Sequence, residues 1–552
     1  METIQSNFLQ FINIKKSNLN LNKVLYYAAV LIGISLNLFI ALRSPTFFHP
    51  DEVYQTLEVA HKFVYGYGLI TWDWKLNSWY VIGNQQSYGG VRSLITPMFF
   101  SIIFILGNAL NLNYWNQILP LTRVILVLNF IFGIYIASKL LKELDPDEYK
   151  ISNKIFLIFA LFYQDLLLYS SKTITNTMIT PIMFFPLYIW MKKDLEERQD
   201  KWALELIAGF LVGISIWMRP DSGIIMAFFV LLNTEKLKLR KFVTFGTGFF
   251  ISFILNGYLD LLYYGKFFVS FINFLNFNSD NQALFGTNPF GWYFQTFILE
   301  RGSFFYIFLL TSILLLIFLI YYIYNTIFEK KQNELFVRRF ELLIKLIFWT
   351  FLVLMWWETQ PHKEERFMIS WEIVYLFLGA YTISLITKYL AQLSSGELLS
   401  QLSFLKLLKD GKDSVVRQVN IIIIIFIIVS LPFLASNVNE ATDRSWNNFN
   451  DVLEAFVWVG QQNVTGVGIV MPILYTGGYS YLHKNVTIEY LDHPFAGTIF
   501  IPAYLAQQHI INYFIVPKYR YNEIQNLYNA TEHSFTLKHV IYGSCDIWEY
   551  TK

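Results

Sequence analysis

The sequence has a single cysteine, Cys545, which excludes an internal disulfide framework and any cluster of thiolate metal ligands. Charge is scarce as well: only 15% of the 552 residues are Asp, Glu, Lys or Arg. The 42 basic and 40 acidic residues leave a net charge of +2, a balance that points to neither a nucleic-acid partner nor an acidic tail. There is no G-x-x-x-x-G-K loop, no H-E-x-x-H pair and no nucleophile elbow, so phosphate-loop and hydrolase chemistries have no support. A repeat of fixed period is missing, and so is a small-residue cleavage site after the first apolar run, which reads as an uncleaved anchor. What is abundant is apolar: 55% of the residues are hydrophobic, with 53 Phe and 35 Tyr, too many for an ordinary soluble surface. The solvent of this chain is largely lipid.

Crossing a hydrocarbon core of about 30 Å takes about 20 mostly apolar residues in a helix, and this template predicts about eleven spans. They fall at 24–42, 119–141, 155–170, 177–192, 203–218, 222–235, 242–265, 303–327, 340–358, 366–387 and 418–435. The expected class is an all-α polytopic membrane protein. Basic clusters at Lys15/Lys16/Lys23, Lys192/Lys193/Arg198/Lys201, Lys236/Lys238/Arg240/Lys241, Lys330/Lys331/Arg338/Arg339 and Lys406/Lys409/Lys412 mark the cytoplasmic loops. For the parity to hold, the apolar stretch Ser93–Leu110 must lie along or dip into the outer leaflet without crossing. This organisation divides the chain into a transmembrane domain, 1–435, with a large first outer loop at 43–118, and an extracytoplasmic tail, 436–552, patterned as a small mixed domain. The acceptor sequons Asn463-Val-Thr465, Asn485-Val-Thr487 and Asn529-Ala-Thr531 all fall in that tail.

With the cytoplasmic loops set aside, the remaining polar residues gather at the outer ends of the spans. The first cluster runs from His49-Pro50-Asp51-Glu52 through Gln55 and Glu58 to His61. Pro50 suits the first position of a helix, and Asp51 and Glu52 then occupy its first turn, where carboxylates are favoured by free amides and the helix dipole. At α-helical spacing Asp51, Gln55, Glu58 and Lys62 share a face, and a carboxylate there can accept a proton from a sugar hydroxyl, or simply stabilise the helix end. The run Gly66–Trp74, with Trp72, Asp73 and Trp74, fits either an interfacial anchor or a sugar-stacking wall. The second cluster, Gln360-Pro361-His362-Lys363-Glu364-Glu365-Arg366-Phe367, crowds His362, Lys363 and Arg366 on the face where basic residues are depleted. These need an anionic partner, a lipid phosphate or the neighbouring glutamates. Asp165, Lys172, Arg219, Asp221 and Asp260 lie at or near predicted outer ends and are costly in lipid, so each is a candidate for function or for structural pairing.

These segments resemble glycosyltransferase family 22, the dolichyl-phosphate-mannose-dependent α-mannosyltransferases. His49–Glu52 with Gln55, Glu58 and His61 is similar to the family's first outer loop, and Ser171–Asn176 to its second. Arg219-Pro220, Asn273–Asn278 and His362-Lys363-Glu364 with Arg366-Phe367 follow in family order, so the likeness covers about 44–370. Tyr67–Trp74 and Gly286–Phe294 look most like the members that add the third mannose of the glycosylphosphatidylinositol (GPI) core. Departures from the family pattern are Gly291 and Lys172, the latter in place of a common arginine; the tail from Ser436 matches nothing in it.

The resemblance implies a GT-C-type membrane fold and transfer of mannose, with inversion, from a polyisoprenyl phosphate to a lipid-linked glycan, most closely a GPI precursor. Asp51 would be the general base, assisted or oriented by Glu52. His362, Lys363, Arg366 and Arg219 would neutralise the departing lipid phosphate, while His49, Gln55, Glu58, Trp72, Trp74 and Asn176 would line the substrate. The scheme requires no divalent metal or other cofactor. The implied partners are membrane lipid, the donor and the acceptor, and the site would face the lumen of the endoplasmic reticulum in a eukaryote or the cell exterior in an archaeon. The lipid-linked N-glycan and archaeal surface-glycan pathways are alternatives, and a lipid-linked-sugar carrier is another. A carrier is expected to show midplane ionisable groups and inverted-repeat symmetry, and the sequence shows no such symmetry and places its polar groups at the outer ends.

Overall fold

The computed structural model describes residues 21–43, 49–76, 79–82, 85–145, 149–192, 202–233, 239–280, 286–300, 334–394, 450–469, 476–490, 510–517, 535–541 and 545–550. Apolar runs become helices because a backbone out of water must satisfy its own N–H and C=O groups. The helices in order are α1 (Leu21–Arg43), α2 (Glu58–Tyr65), α3 (Ile95–Ala109), α4 (Leu119–Leu144), α5 (Tyr149–Phe162), α6 (Gln164–Tyr169), α7 (Thr175–Met191), α8 (Trp202–Met218), α9 (Pro220–Asn233), α10 (Leu239–Tyr264), α11 (Val269–Asp280), α12 (Glu334–Glu358) and α13 (Ile369–Ser394). A short hairpin, β1 (Trp79–Ile82) with β2 (Gln85–Tyr88), interrupts the first outer loop.

Among the described residues four helical stretches are long and apolar enough to cross a membrane: Tyr114–Leu144, Leu239–Tyr264, Val337–Glu358 and Glu365–Leu385. The expected spans at 303–327 and 418–435 lie outside the described residues. That at 24–42 falls within α1, and those at 155–170, 203–218 and 222–235 coincide with apolar helices of only 10–17 residues. The expected span 155–170 is not continuous: Tyr163 takes an extended backbone and divides α5 from α6. The stretch 93–110 forms α3, whose 15 residues are too few for the hydrocarbon core, and Met98, Ile102, Ile105 and Leu106 are exposed on it. Helix contacts are close where side chains are small. A Cβ at Gly209 would sit 1.8 Å from the Phe245 carbonyl oxygen and one at Gly248 1.9 Å from that of Leu206, so α8 and α10 meet backbone to backbone.

The tail folds into α14 (Asn450–Gly460), β3 (Gly466–Ile469), α15 (Gly478–Leu482), β4 (Thr487–Tyr490), β5 (Tyr513–Pro517), β6 (Phe535–Ile541) and β7 (Cys545–Tyr550). Its sheet has the order β4-β3-β5-β7-β6, parallel among the first three strands and antiparallel beyond. The expected boundary at 435/436 lies outside the described residues. The tail does not stand apart from the first outer loop: Leu453, Phe456, Val467, Leu482 and Ile515 share one apolar core with Val53, Leu57, Phe100 and Phe104. Of the sequons, Asn463 and Asn485 are exposed, and Asn529 is outside the described residues.

A histidine pair closes this contact. His61 Nδ1 donates to the Tyr67 carbonyl at 3.0 Å, so its Nε2 accepts from His483 Nδ1 at 2.9 Å. His483 stacks on Tyr114 at 3.8 Å between centroids. Burial lowers His61 to about 3 and His483 to about 4, Lys484 adding to the latter shift, so both rings are neutral at pH 7. Below a free-histidine pKa of about 6.5 the unfolded chain binds protons that the folded one refuses, and stability therefore rises with pH up to that value. At pH 5 the loss is about 2 kcal/mol or more. Melting curves of the solubilised protein should show it, with the slope between pH 5 and 7 reduced in a His61→Asn/His483→Asn variant.

Candidate active site

Residues 49–57 begin as an ordinary helix start. The Pro50 carbonyl accepts from Val53 N at 3.1 Å and Tyr54 N at 3.0 Å, and Glu52 Oε1 reaches back to the His49 amide at 3.1 Å. The turn Val53–Leu57 is then π-helical before α2 resumes at Glu58. One such widened turn offsets everything after it by about 100°, one residue's share of an α-turn. Asp51 and Glu58, expected on one face, therefore point in different directions.

Asp51 points at the second cluster. Its Oδ2 accepts from Arg366 Nη1 at 2.6 Å, bridging 315 residues of sequence. Arg366 Nε donates to Glu364, whose Oε1 lies 2.8 Å from His362 Nε2. His49 stands between the acids, 3.6 Å from Asp51 and 3.7 Å from Glu364, and its Nδ1 accepts the Asp51 amide at 3.2 Å. Burial alone would raise the Asp51 carboxyl, but Arg366, His49 and Arg92 hold it well below the usual carboxylate range. Burial also works against Glu364, which Arg366, His362 and His49 together bring down to about 2. The hydrogen bond to Glu364 raises His362.

Supports converge from other loops. Glu52, 3% exposed, takes the Thr173 amide at 3.3 Å, and the Thr173 hydroxyl donates to the Glu52 carbonyl at 2.9 Å, so Glu52 ties the first outer loop to the second. Lys172 is buried beside them, and burial lowers it to about 8 against the pull of Glu52. Asn176 Nδ2 donates to the Arg366 carbonyl at 2.8 Å, while its Oδ1 accepts from Arg219 Nη1 at 2.9 Å. Arg219 also pairs with Asp221 at 2.9 Å and lies 5.1 Å over the Phe367 ring. Lys363 donates to the Asn288 carbonyl at 2.9 Å, and Tyr293 holds the Glu364 backbone.

The structure thus brings together Asp51, Glu52, His49, Asn176, Arg219, His362 and Arg366, with Lys363 alongside and Gln55 half-buried one turn on from Asp51. It supplies the second cluster's basic residues with protein partners, chiefly Glu364 and Asp51, so an anion from outside would have to compete for them. Two expectations are corrected. Glu58 does not line a substrate surface: it is fully buried and accepts the amides of Leu69 at 2.8 Å, Tyr479 at 3.1 Å and Ser480 at 2.8 Å, because the π-turn rotates it toward the tail. Trp74 is 2% exposed, packed with Val59, Leu94, Tyr264 and Val269, so its ring is core and not a stacking wall. The Trp72 side chain lies outside the described residues. The sequence reading missed the tail turn at Thr476–His483, for which Gly477-Gly478 was the visible sign, and missed Arg92, which follows a glycine pair and pairs with Asp73 at 3.3 Å.

With this geometry in view, comparison with known proteins is informative. The profile of the Alg9-like mannosyltransferase family matches residues 28–483, reaching into the tail as far as the histidine paired with His61. "Mannosyltransferase APTG1" of Arabidopsis thaliana is 25% identical over 481 residues, 82% of this chain and 74% of that protein. "GPI alpha-1,2-mannosyltransferase 3" of Mus musculus is 26% identical over 350 residues, 61% of this chain but only 55% of that protein's length. The crystal structure of ArnT from Cupriavidus metallidurans bound to undecaprenyl phosphate superposes with a TM-score of 0.53 at 11% identity, covering 95% of this chain and 97% of that one, which establishes a GT-C fold. The chain is an integral membrane protein, and it belongs to the Alg9-like mannosyltransferase family.

Proposed function

We propose that this protein transfers mannose from a polyisoprenyl phosphate to a GPI precursor, adding the third, α-1,2-linked residue. The observation that carries the mechanism is the meeting of Asp51, from the first outer loop, with Arg366 and Glu364 of the 360–367 loop. Asp51 accepts the proton of the acceptor hydroxyl, and the hydroxyl oxygen attacks the anomeric carbon. The bond from that carbon to the phosphate oxygen breaks, and its electron pair leaves with the lipid phosphate. Arg366, in contact with Asp51, is placed to stabilise that developing charge, with Arg219, His362 and Lys363 behind it.

Paired with Arg366, Asp51 is a weak base. An arriving phosphate that competes for the guanidinium releases it, so donor binding and base strength are coupled. The pathway reading is supported by the GPI mannosyltransferases among the relatives, and the lipid-phosphate donor by the undecaprenyl phosphate of the fold relative. A luminal site in the endoplasmic reticulum follows from that pathway. The scheme uses no divalent metal, and activity is expected to survive chelation by EDTA.

The test is transfer in membranes from synthetic polyprenyl-phosphate mannose to a panel of GPI and N-glycan precursors. Transfer confined to a GPI precursor names the pathway. Bound donor with no transfer to any acceptor would sink the enzyme reading in favour of a carrier.

A further inference from the structure

One turn of the tail, Thr476–His483, holds the far side of the helical segment that carries Asp51. The buried Tyr54 hydroxyl lies 2.7 Å from the Thr476 hydroxyl and 3.3 Å from the Thr476 carbonyl oxygen. Four residues on, Glu58 accepts the amides of Tyr479 and Ser480, and three residues further His61 meets His483 at 2.9 Å. The tail turn is itself fixed: the Tyr114 hydroxyl donates to the Ser480 carbonyl at 2.7 Å, and the Trp115 indole to that of Tyr481 at 2.8 Å. On the near side Asp51 reaches Arg366, Glu52 takes the Thr173 amide, and the Thr56 hydroxyl donates to the Thr173 carbonyl at 2.9 Å.

A regular α-helix cannot serve both sides. At about 100° per residue Asp51, Tyr54, Glu58 and His61 would fall within about 80° of one another, so all four would face either Arg366 or the tail. The π-turn Val53–Leu57 removes the conflict. It carries Glu58 and His61 about 100° further round, to the side of the tail, while Asp51 stays on Arg366. Isolated π-turns are rare and occur often at functional sites, and this one sits between two sets of contacts that a continuous α-helix cannot satisfy together.

We propose that the tail turn Thr476–His483 is a positioning element for the Asp51 base. Its hold on Tyr54, Glu58 and His61 keeps Val53–Leu57 π-helical, and the π-turn keeps the Asp51 carboxylate aimed at Arg366 and the acceptor. Tyr54, inside the π-turn, and its partner Thr476 are the positioning residues nearest the base. Loss of their contact loosens the turn beside Asp51, and misplacing a reacting group by about 1 Å can cost about 10²-fold in rate. This role of the tail rests on the reading of Asp51 as the base, and it makes transfer, as well as folding, depend on residues beyond 470.

The test compares Tyr54→Phe and Thr476→Val in the full-length protein, each of which deletes the hydroxyl pair and keeps a side chain of similar shape; Thr476→Val carries the test if Tyr54→Phe fails to fold. Each should lower kcat for mannose transfer by about tenfold or more, with donor and acceptor KM little changed. The acid limb of the pH–rate profile should rise toward the ordinary aspartate range as Asp51 drifts from Arg366, whereas a part-unfolded population would lower activity without moving the profile. Tyr54→Phe/Thr476→Val should be no slower than either single variant, and Tyr54→Phe should add nothing to Asp51→Asn, because groups that act as a unit are not additive. Native kcat in whichever variant folds, a loss with an unmoved acid limb, or a loss that multiplies with that of Asp51→Asn overturns the proposal and leaves the transferase reading in place. Asp51→Asn at the native rate removes the base and this role of the tail together.

Discussion

Asp51→Asn should cut mannose transfer by roughly 10²–10⁴-fold, the range that a positioned general base contributes, with the melting temperature little changed. The substitution keeps shape but removes the proton acceptor. Arg366 retains Glu364, and His49 retains both its place and Glu364, so the cluster is not left with an uncompensated buried cation. The control is Arg366→Gln, which frees Asp51 from its guanidinium and leaves Glu364 with His362 and His49. Its transfer rate should also fall, but the acid limb of its pH–rate profile should move toward the ordinary aspartate range, because Arg366 is the main group holding Asp51 down. If Asp51→Asn transfers mannose at the native rate, Asp51 is not the base.

The second large effect is on stability, at Glu58. Its carboxylate receives three backbone amides, two of them from the tail, in a site with no exposure. Glu58→Leu strands those donors, and each buried unsatisfied group costs about 1–3 kcal/mol, so a loss of about 3 kcal/mol or more is expected. Glu58→Gln keeps the shape with weaker acceptors and should lose less. Gly478→Val approaches the same contact from the tail side: φ there is +55°, and a Cβ would lie 2.8 Å from Glu58 Oε2. A β-branched residue in that left-handed conformation is strained before any clash is counted. Thermal unfolding of the three variants in detergent, with limited proteolysis of the tail, measures the ranking. Unchanged melting temperatures would mean that the tail does not lean on Glu58.

These sites show how far the sequence could be read. Lys and Arg depletion on one face and the runs of apolar residues identify a membrane protein with its polar chemistry at the outer helix ends, because bilayer thickness and desolvation act on local composition. The His49–Glu52 and His362–Phe367 clusters are visible for the same reason: charged residues at span ends are costly unless they are used. That Asp51 and Arg366 form one ion pair was not visible, since nothing local couples positions 315 residues apart. The partition of Glu58 from Asp51 was hidden too. Helical spacing assumes 3.6 residues per turn, and the π-turn Val53–Leu57 breaks that assumption in a segment that otherwise reads as continuous helix. Trp74 followed the same pattern, because an aromatic in a polar loop looks interfacial until α10 and α11 pack over it.

By itself the sequence determined the solvent of this protein, its helical class and the residue types available for chemistry, all of which follow from local composition and spacing. Only the tertiary structure decided which acid faces which cation, that the tail clamps the helix following Asp51, and that Arg92 pairs with the buried Asp73. Those outcomes depend on contacts between distant segments and on one widened helical turn, and the physics of such contacts is not written in any local stretch of residues.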